Sequence, residues 1–158
     1  MRRILVTGSR RVPETMESIR LAEAVLRQCH DILRTSDVSE SVLVHGDARG
    51  ADRVMERAAL WLGMKIEAHP ARWIELGWAA GPVRNRKMVW LGASLCIAVP
   101  TTPKGRGVSG TWGCVEEADR ASLPVLVAWR GNLWAYNDGA RCLLGSDRVR
   151  IAPGTMGT

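Results

Sequence analysis

Short apolar runs alternate with helical patterns along most of the chain, and this alternation limits the fold more than any other feature. The runs are residues 3–7, 42–44, 64–69, 93–99 and 123–129. Between them, apolar residues recur three and four positions apart, which is typical of one helix face. Buried strands joined by helices indicate a parallel sheet covered on both sides. We therefore predict an α/β fold, a single three-layer domain with a five-stranded, mainly parallel sheet.

The first helix is predicted to begin near Pro13 and to end near Arg34. One long connection interrupts the regular pattern: residues 71–81 are predicted to form a long loop. A proline suits the first turn of a helix, so the next helix is predicted to begin at Pro82.

The length of the chain fits one domain. At 158 residues without an internal repeat, the chain offers no sign of a second core. We assign residues 1–130 to a ligand-binding domain and residues 131–158 to a C-terminal extension packed on it. The last residues, 153–158, are predicted to be frayed.

The loops that follow the strands are rich in glycine and arginine. In a parallel sheet with right-handed crossovers these loops gather at one edge, and ligands bind outside the carboxyl ends of the strands. That edge would collect residues 8–10, 46–52 and 101–111. The sequence therefore predicts a ligand site there.

The first two loops carry most of the candidate ligand-binding residues. These are Gly8, Ser9, Arg10, Gly46, Asp47, Gly50 and Asp52. Glycine lets a ligand approach the backbone, and hydroxyl and guanidinium groups donate to phosphate. Asp47 is expected near a sugar or base, whereas Asp52 either contacts ligand or caps backbone N–H groups. A plain turn with solvated arginines remains the alternative for the first loop.

Two helix starts supply the remaining candidates. They are Arg84 and Asn85 in one helix, and Gly107, Gly110 and Thr111 at the start of the next. Cations in a first helical turn oppose the helix dipole, so an anion or an acidic partner such as Asp47 would explain Arg84, with a solvent-facing arginine as the alternative. Glycines and hydroxyls at a helix N-terminus suit phosphate, with a flexible linker as the alternative.

Charge and aromatic content indicate an anionic partner. The net charge is +6 and the pI is about 9.8, which favours phosphates and polyanions. Three tryptophans, Trp73, Trp78 and Trp112, fall in or beside candidate loops, where they either stack on a base or pack within the protein.

The remaining residue types argue against metals, disulfides and membranes. Four dispersed cysteines without metal-ligand spacing indicate small buried thiols in a reducing compartment. No apolar run is long enough to cross a bilayer. We therefore expect a cytoplasmic protein with no metal and no cofactor.

Several of these stretches together resemble the YspA-like branch of the SLOG superfamily. They are residues 6–10, 44–52, 69–73, 80–86 and 110–111. The resemblance implies a Rossmann-like sheet in strand order 3-2-1-4-5 and a nucleotide-derived ligand, in a protein from bacteria or phages. The superfamily also includes LOG-type phosphoribohydrolases and a DNA-processing protein that binds single strands.

The enzyme branch carries a Gly-Gly-x-Gly-Thr stretch followed closely by glutamate. Here residues 107–111 lack the second glycine, and Glu116 lies about one helical turn too far along. The leading hypothesis is therefore binding or sensing of a nucleotide or an ADP-ribose-like molecule. One alternative is N-glycosidic hydrolysis of a nucleoside monophosphate, with Asp47 and Glu116 as catalytic residues. The other is a basic nucleic-acid-binding protein. A second copy of the chain is left open as a partner.

Overall fold

One mixed sheet runs through the part of the chain described by a computed structural model, residues 1–107 and 109–151. Its strands are β1 (Arg2–Gly8), β2 (Ser41–His45), β3 (Lys65–Ala68), β4 (Leu95–Val99), β5 (Val125–Trp129), β6 (Asn132–Ala135) and β7 (Arg148–Arg150). The α-helices are α1 (Met16–Ile32), α2 (Ala51–Trp61), α3 (Trp73–Leu76), α4 (Ala80–Trp90), α5 (Gly110–Arg120) and α6 (Asp138–Leu144). Short 3₁₀ helices cover Val38–Glu40 and Gly77–Ala79. The predicted α/β class is confirmed.

The order across the sheet is β3-β2-β1-β4-β5-β6-β7. The first five strands are parallel and lie in the order that the resemblance implied. The prediction of only five strands is wrong, since β6 and β7 add two antiparallel strands at the β5 edge. Leu133 is the one buried residue in these two short strands, so their apolar signal is weak.

Each central strand contributes to two cores. Ile4 and Val6 of β1 pack in a cluster with the apolar faces of α1 and α2. Leu5, between them, joins a second cluster with Met88 of α4 and Val115 of α5. Burial on both faces explains why these strands are continuously apolar rather than alternating.

Two predicted boundaries need correction. Helix α1 begins at Met16 rather than near Pro13, because the Thr15 side chain caps it by accepting from the Ser18 N–H. The long loop predicted at residues 71–81 is wrong, because α3, a 3₁₀ helix and the start of α4 fill most of it. These helical turns are too short to show a periodic pattern.

The cysteines and the C-terminal part differ in detail from expectation. All four cysteines are free, and three are buried, but Cys142 in α6 is exposed, so the prediction of buried thiols is wrong there. Burial raises the pKa of Cys114 to about 11.

The division at residue 130 stays a prediction, and the end expected to be frayed lies outside the described residues. No helix within the described ranges combines the length and the apolar character that a membrane span requires.

An ion pair ties the first strand to the edge of the sheet. Arg3 of β1 donates to both carboxylate oxygens of Glu67 in β3, at 2.5 and 2.9 Å, across the intervening strand β2. The imidazole of His69 lies 2.7 Å from the same carboxylate. Hydrogen bonding to Arg3, then to His69, holds the pKa of Glu67 down at about 2.

We expect Leu133→Ala to lower the free energy of unfolding by about 2–5 kcal/mol, since it removes a fully buried side chain from the α1–α2 core. Urea denaturation followed by circular dichroism measures this loss. The matched control Leu60→Ala truncates a side chain that is 55% exposed and should cost much less. Equal losses in the two variants would contradict an integral role for β6.

We expect Glu67→Gln to lower the thermal unfolding midpoint at neutral pH. A depressed pKa in the folded state means that the carboxylate stabilises the fold above its unfolded pKa of about 4.5. That contribution is lost as the pH falls towards about 2, so wild type and variant should converge there. Glu40→Gln alters an exposed glutamate and serves as the control. A difference that does not change with pH would contradict the ion-pair origin of the effect.

Candidate functional site

A cavity of about 320 Å³ opens at the carboxyl ends of β1 and β4, beside the loop after β2. Nine of the twelve predicted ligand residues line it: Gly8, Ser9, Arg10, Gly46, Asp52, Arg84, Asn85, Gly110 and Thr111. The other three, Asp47, Gly50 and Gly107, are not among its lining residues. The edge that the sequence indicated is therefore where the cavity lies.

Three of the predicted glycines are required by packing within the protein. A Cβ at Gly8 would collide with the Cβ of Ala51, where α2 starts against β1. Gly50 has a φ of +80°, and a Cβ there would lie 2.6 Å from the backbone oxygen of Ser9. A Cβ at Gly46 would collide with the guanidinium of Arg84. Their lack of a side chain is therefore explained without a ligand.

Backbone hydrogen bonds fix the first two loops against each other. The Ser9 carbonyl accepts from the Ala51 N–H at 3.0 Å, and the Ser9 N–H donates to the Val99 carbonyl at 2.9 Å. Glu14 accepts from the Gly50 N–H at 3.0 Å. These bonds join the first two loops to β4, to the start of α2 and to the segment before α1, and so fix the floor of the cavity.

Asp52 is the carboxylate of the cavity wall. It sits in the first turn of α2 and is 4% exposed. Its Oδ2 accepts from the N–H groups of Gly46 and Ala48, at 3.1 and 3.2 Å, which ties down the loop after β2. Its buried Oδ1 has no hydrogen-bond partner in the part of the chain that the structure describes. Burial raises the pKa of Asp52, against the effect of its backbone donors and of nearby His45 and Arg84.

Arg84 and Asn85 brace the cavity from α4. Arg84 donates to the Gly46 carbonyl, to the His69 carbonyl at 3.3 Å and to Asn85 Oδ1 at 2.8 Å. Asn85, 5% exposed, donates in turn to the Gly110 carbonyl at 3.2 Å. Burial lowers the pKa of Arg84, and the negative charge of Asp52 opposes that effect more than the charge of Asp47 does. Of the nearby acidic groups, Asp52 therefore has the largest effect on the pKa of Arg84.

Asp47 lies beside the cavity and is held by contacts within the protein. Its carboxylate lies 2.9 Å from Arg53, and its N–H donates to His45 Nδ1 at 3.0 Å. Its φ is +56°, a left-handed conformation that aspartate tolerates better than most residues. It lines a depression that adjoins the cavity, and the two share Arg10, Gly46, Ala48, Trp73 and Arg84.

His45, Asp47 and Glu56 place their potential ligand atoms within 4.8 Å of one another. A metal would need a lone pair on a ring nitrogen, but Nδ1 already accepts the Asp47 N–H. In the neutral ring the proton then sits on Nε2, 2.8 Å from Glu56. Arg53 also neutralises Asp47. This donor set does not fit a cation.

The opposite wall is formed by the start of α5. Ser109 is the N-cap of this helix and makes no side-chain capping bond, so backbone N–H groups of the first turn remain available. A Cβ at Gly110 would meet nothing within 4 Å, which leaves this wall open. The predicted hydroxyl of Thr111 lies in the same turn. Gly107 precedes this wall and does not reach the cavity.

Arg10 and Trp73 contribute a cation and an aromatic ring to the cavity lining. The guanidinium of Arg10 lies 5.3 Å from the centre of the Trp73 ring. Trp73 also packs near Gly81, where a Cβ would be 3.3 Å from the ring. Of the other tryptophans singled out, Trp78 is 97% exposed and Trp112 donates to the Thr102 carbonyl at 3.0 Å.

Nine lining residues were not named individually as candidates from the sequence: Val6, Thr7, Arg11, Ala48, Gly81, Met88, Thr101, Thr102 and Ser109. Thr101 and Thr102 follow β4 directly and lie within the stretch 101–111 that the sequence placed at this edge. Thr101 donates to the Ser9 hydroxyl at 2.7 Å. Met88 belongs to α4, and no pattern distinguishes it from an ordinary core residue.

A comparison with known proteins finds a phage relative. The Gene 61 protein of Mycobacterium phage D29 is 40% identical over 134 residues, which cover 80% of this chain and 95% of the relative. The chain belongs to the family of this Gene 61 protein. No protein-family model matches the chain, and no solved structure matches it. The predicted phage or bacterial origin agrees with this relative.

We expect Gly46→Ala to destabilise the fold by about 1–3 kcal/mol, because the added methyl group displaces the Arg84 guanidinium. Urea denaturation measures the change. Gly113→Ala is the matched control: it lies inside α5 with nothing within 4 Å of an added Cβ. That substitution should stabilise by about 0.5–1 kcal/mol through helix propensity. A neutral Gly46→Ala would show that Arg84 is not fixed at this place.

Proposed function

We propose that this chain binds a nucleotide-derived ligand, a nucleotide or an ADP-ribose-like molecule, in the cavity at the carboxyl edge of the sheet. One observation carries the proposal: the same cavity combines an uncapped helix N-terminus with a buried carboxylate oxygen that lacks a donor. A nucleotide carries both complementary groups, a phosphate and hydroxyl or amine donors.

The phosphate is assigned to the α5 wall. Free N–H groups at a helix N-terminus attract an anion, and Gly110 leaves the approach open. Arg10 adds a guanidinium at the same cavity, and Ser9 and Thr101 add hydroxyl groups. Arg84 contributes positive charge, although its hydrogen bonds to backbone carbonyls make it a bracing residue first.

The sugar or base is assigned to the Asp52 wall. A buried acceptor without a partner carries a desolvation cost, which a ligand hydroxyl or amine would remove. Oδ2 already accepts from two backbone donors, so Oδ1, buried in this wall, is the oxygen left without a donor. This assignment replaces Asp47, whose carboxylate pairs with Arg53.

The ring of Trp73 provides a surface for a base. It lines the cavity, is 48% exposed, and lies under the Arg10 guanidinium. Stacking on tryptophan accepts any base, so it contributes affinity rather than base specificity.

Binding is favoured over N-glycosidic hydrolysis by the positions of two carboxylates. Glu116 is 47% exposed and lies 3.6 Å from Lys104 and 3.8 Å from Arg120. Neither Glu116 nor Asp47 is among the residues that line the cavity. The hydrolase hypothesis therefore lacks the pair of acids that it invoked.

Membership of the YspA-like branch of the SLOG superfamily, with its Rossmann-like sheet, is part of this proposal. The strand order β3-β2-β1-β4-β5 supports it, as does a cavity beside β1 and β4. Those two neighbouring strands lie where the chain order reverses, which is where such sheets bind ligands.

We expect at least one of adenosine monophosphate, guanosine monophosphate and ADP-ribose to raise the thermal unfolding midpoint of the protein. Ligand at a hundred times its Kd stabilises by about 2.7 kcal/mol. Arg10→Gln should weaken binding about tenfold or more, as titration calorimetry measures, because it removes a charged donor to phosphate.

Arg20→Gln, an exposed arginine on α1, removes the same charge away from the cavity and is the control. Equal loss in both variants would reduce the effect to net charge. If none of the three ligands binds the folded protein, the proposal fails. Chromatography of the same mixtures tests hydrolysis, and release of free base would replace binding by catalysis.

A further inference from the structure

A second, larger concave surface lies at the antiparallel end of the sheet and shares no lining residue with the cavity described above. We call it the aromatic groove. It encloses about 570 Å³ and is lined by Pro100, Pro103, Lys104, Trp112, Val127, Trp129, Arg130, Trp134, Ala135 and Tyr136. Four of the eight aromatic residues in the chain are on this list.

The register of the sheet builds this groove. Val127 of β5 lies opposite Trp134 of β6 in the antiparallel pair, so both side chains emerge on the same face. Trp129, two residues on from Val127, shares that face. Trp112 of α5 and Tyr136 close one side, with ring centres 6.4 Å apart.

Three cations lie against the rings of this groove. Lys104 lies at the edge of the Tyr136 ring, where it donates to the ring's hydroxyl. Arg130 is 5.5 Å from the centre of the Trp129 ring, and Arg148 of β7 is 5.1 Å from that of the Trp134 ring. A cation therefore accompanies three of the four aromatic rings of this surface.

The charge of the groove is positive and largely uncompensated. None of its lining residues is acidic, and the +6 charge of the chain has the same sign. Glu116, 3.6 Å from Lys104, is the acidic group that the ion-pair geometry brings to its border in the part described. An occupant should therefore be anionic and carry flat groups able to stack.

We propose that the aromatic groove binds single-stranded nucleic acid, with bases stacked on Trp134 and its neighbouring rings and phosphates on Lys104, Arg130 and Arg148. Aromatic platforms alternating with cations suit this occupant, since every base has a face and every nucleotide a phosphate. A duplex hides its base faces and is the poorer fit. A proline-rich segment could use the rings but would leave three cations without a purpose. Because the two sites share no lining residue, this proposal does not rest on the nucleotide cavity.

The test measures fluorescence anisotropy of labelled oligothymidine and oligouridine with the full chain at several salt concentrations. We expect the logarithm of the association constant to fall linearly with the logarithm of the salt concentration. The two oligonucleotides distinguish DNA from RNA as the source of the strand. Trp134→Ala should weaken binding about fivefold or more, through loss of stacking. Trp61→Ala, an exposed tryptophan at the end of α2, should leave it unchanged.

Arg148→Gln is a second variant that removes a charge from an exposed side chain without opening the core. It should reduce the salt slope by about one, whereas Arg20→Gln should not. Circular dichroism checks that each variant is folded.

Failure of both oligonucleotides to bind at low salt would overturn the proposal. So would binding that Arg10→Gln weakens but Trp134→Ala and Arg148→Gln do not, because that places the strand at the cavity. A tryptophan fluorescence change with a proline-rich peptide, and none with oligonucleotide, would assign the groove to a peptide instead.

Discussion

The geometry of the cavity depends on one buried carboxylate. Asp52 holds the loop after β2 by accepting two of its N–H groups, and Arg84 holds the same loop by donating to its Gly46 carbonyl. Asp52 of α2 and Arg84 of α4 therefore hold the same loop from opposite faces of the sheet. Because a charge in a poorly solvated place needs compensation, each of these side chains makes the other tolerable. Loop, helix α2 and helix α4 are consequently fixed as one unit.

Other residues around the cavity are positioned by hydrogen bonds to that unit. Asn85 accepts from Arg84 and donates to the Gly110 carbonyl. These two hydrogen bonds connect the loop after β2, through Arg84, to the start of α5. His69 is connected twice, through its carbonyl to Arg84 and through its ring to Glu67. Since Glu67 pairs with Arg3, the strand at the edge of the sheet is coupled to the wall of the cavity. A preorganised wall loses little conformational entropy when a ligand arrives.

The sequence predicted the sheet core well because its physical signal is strong. Short runs that are apolar throughout, such as residues 42–44, and that alternate with helical patterns are typical of central strands in an α/β sheet. The signal fails where burial is partial: β6 has one buried residue, Leu133, and β7 has none, so neither stands out from a loop. The turns within residues 71–81 are likewise too short for periodicity.

The cavity was located more reliably than its residues were explained. Glycines 8, 46 and 50 do mark the place where β1, β2 and α2 meet, but the atoms that exclude a side chain belong to Ala51, Arg84 and Ser9. A sequence shows that space is short without showing what occupies it. Asp47 and Asp52 are both carboxylates in one loop, and only three-dimensional neighbours reveal that Arg53 takes the first and backbone N–H groups take the second.

The distribution of thiols makes the chain suitable for labelling at a single cysteine. Three cysteines are sealed in the core, and Cys142 alone is exposed, on a short helix of the C-terminal part. Thiol reagents need access to sulfur, so the natural sequence offers a single point of attachment. A dye or spin label placed there would report on the movements of α6 without any engineered residue.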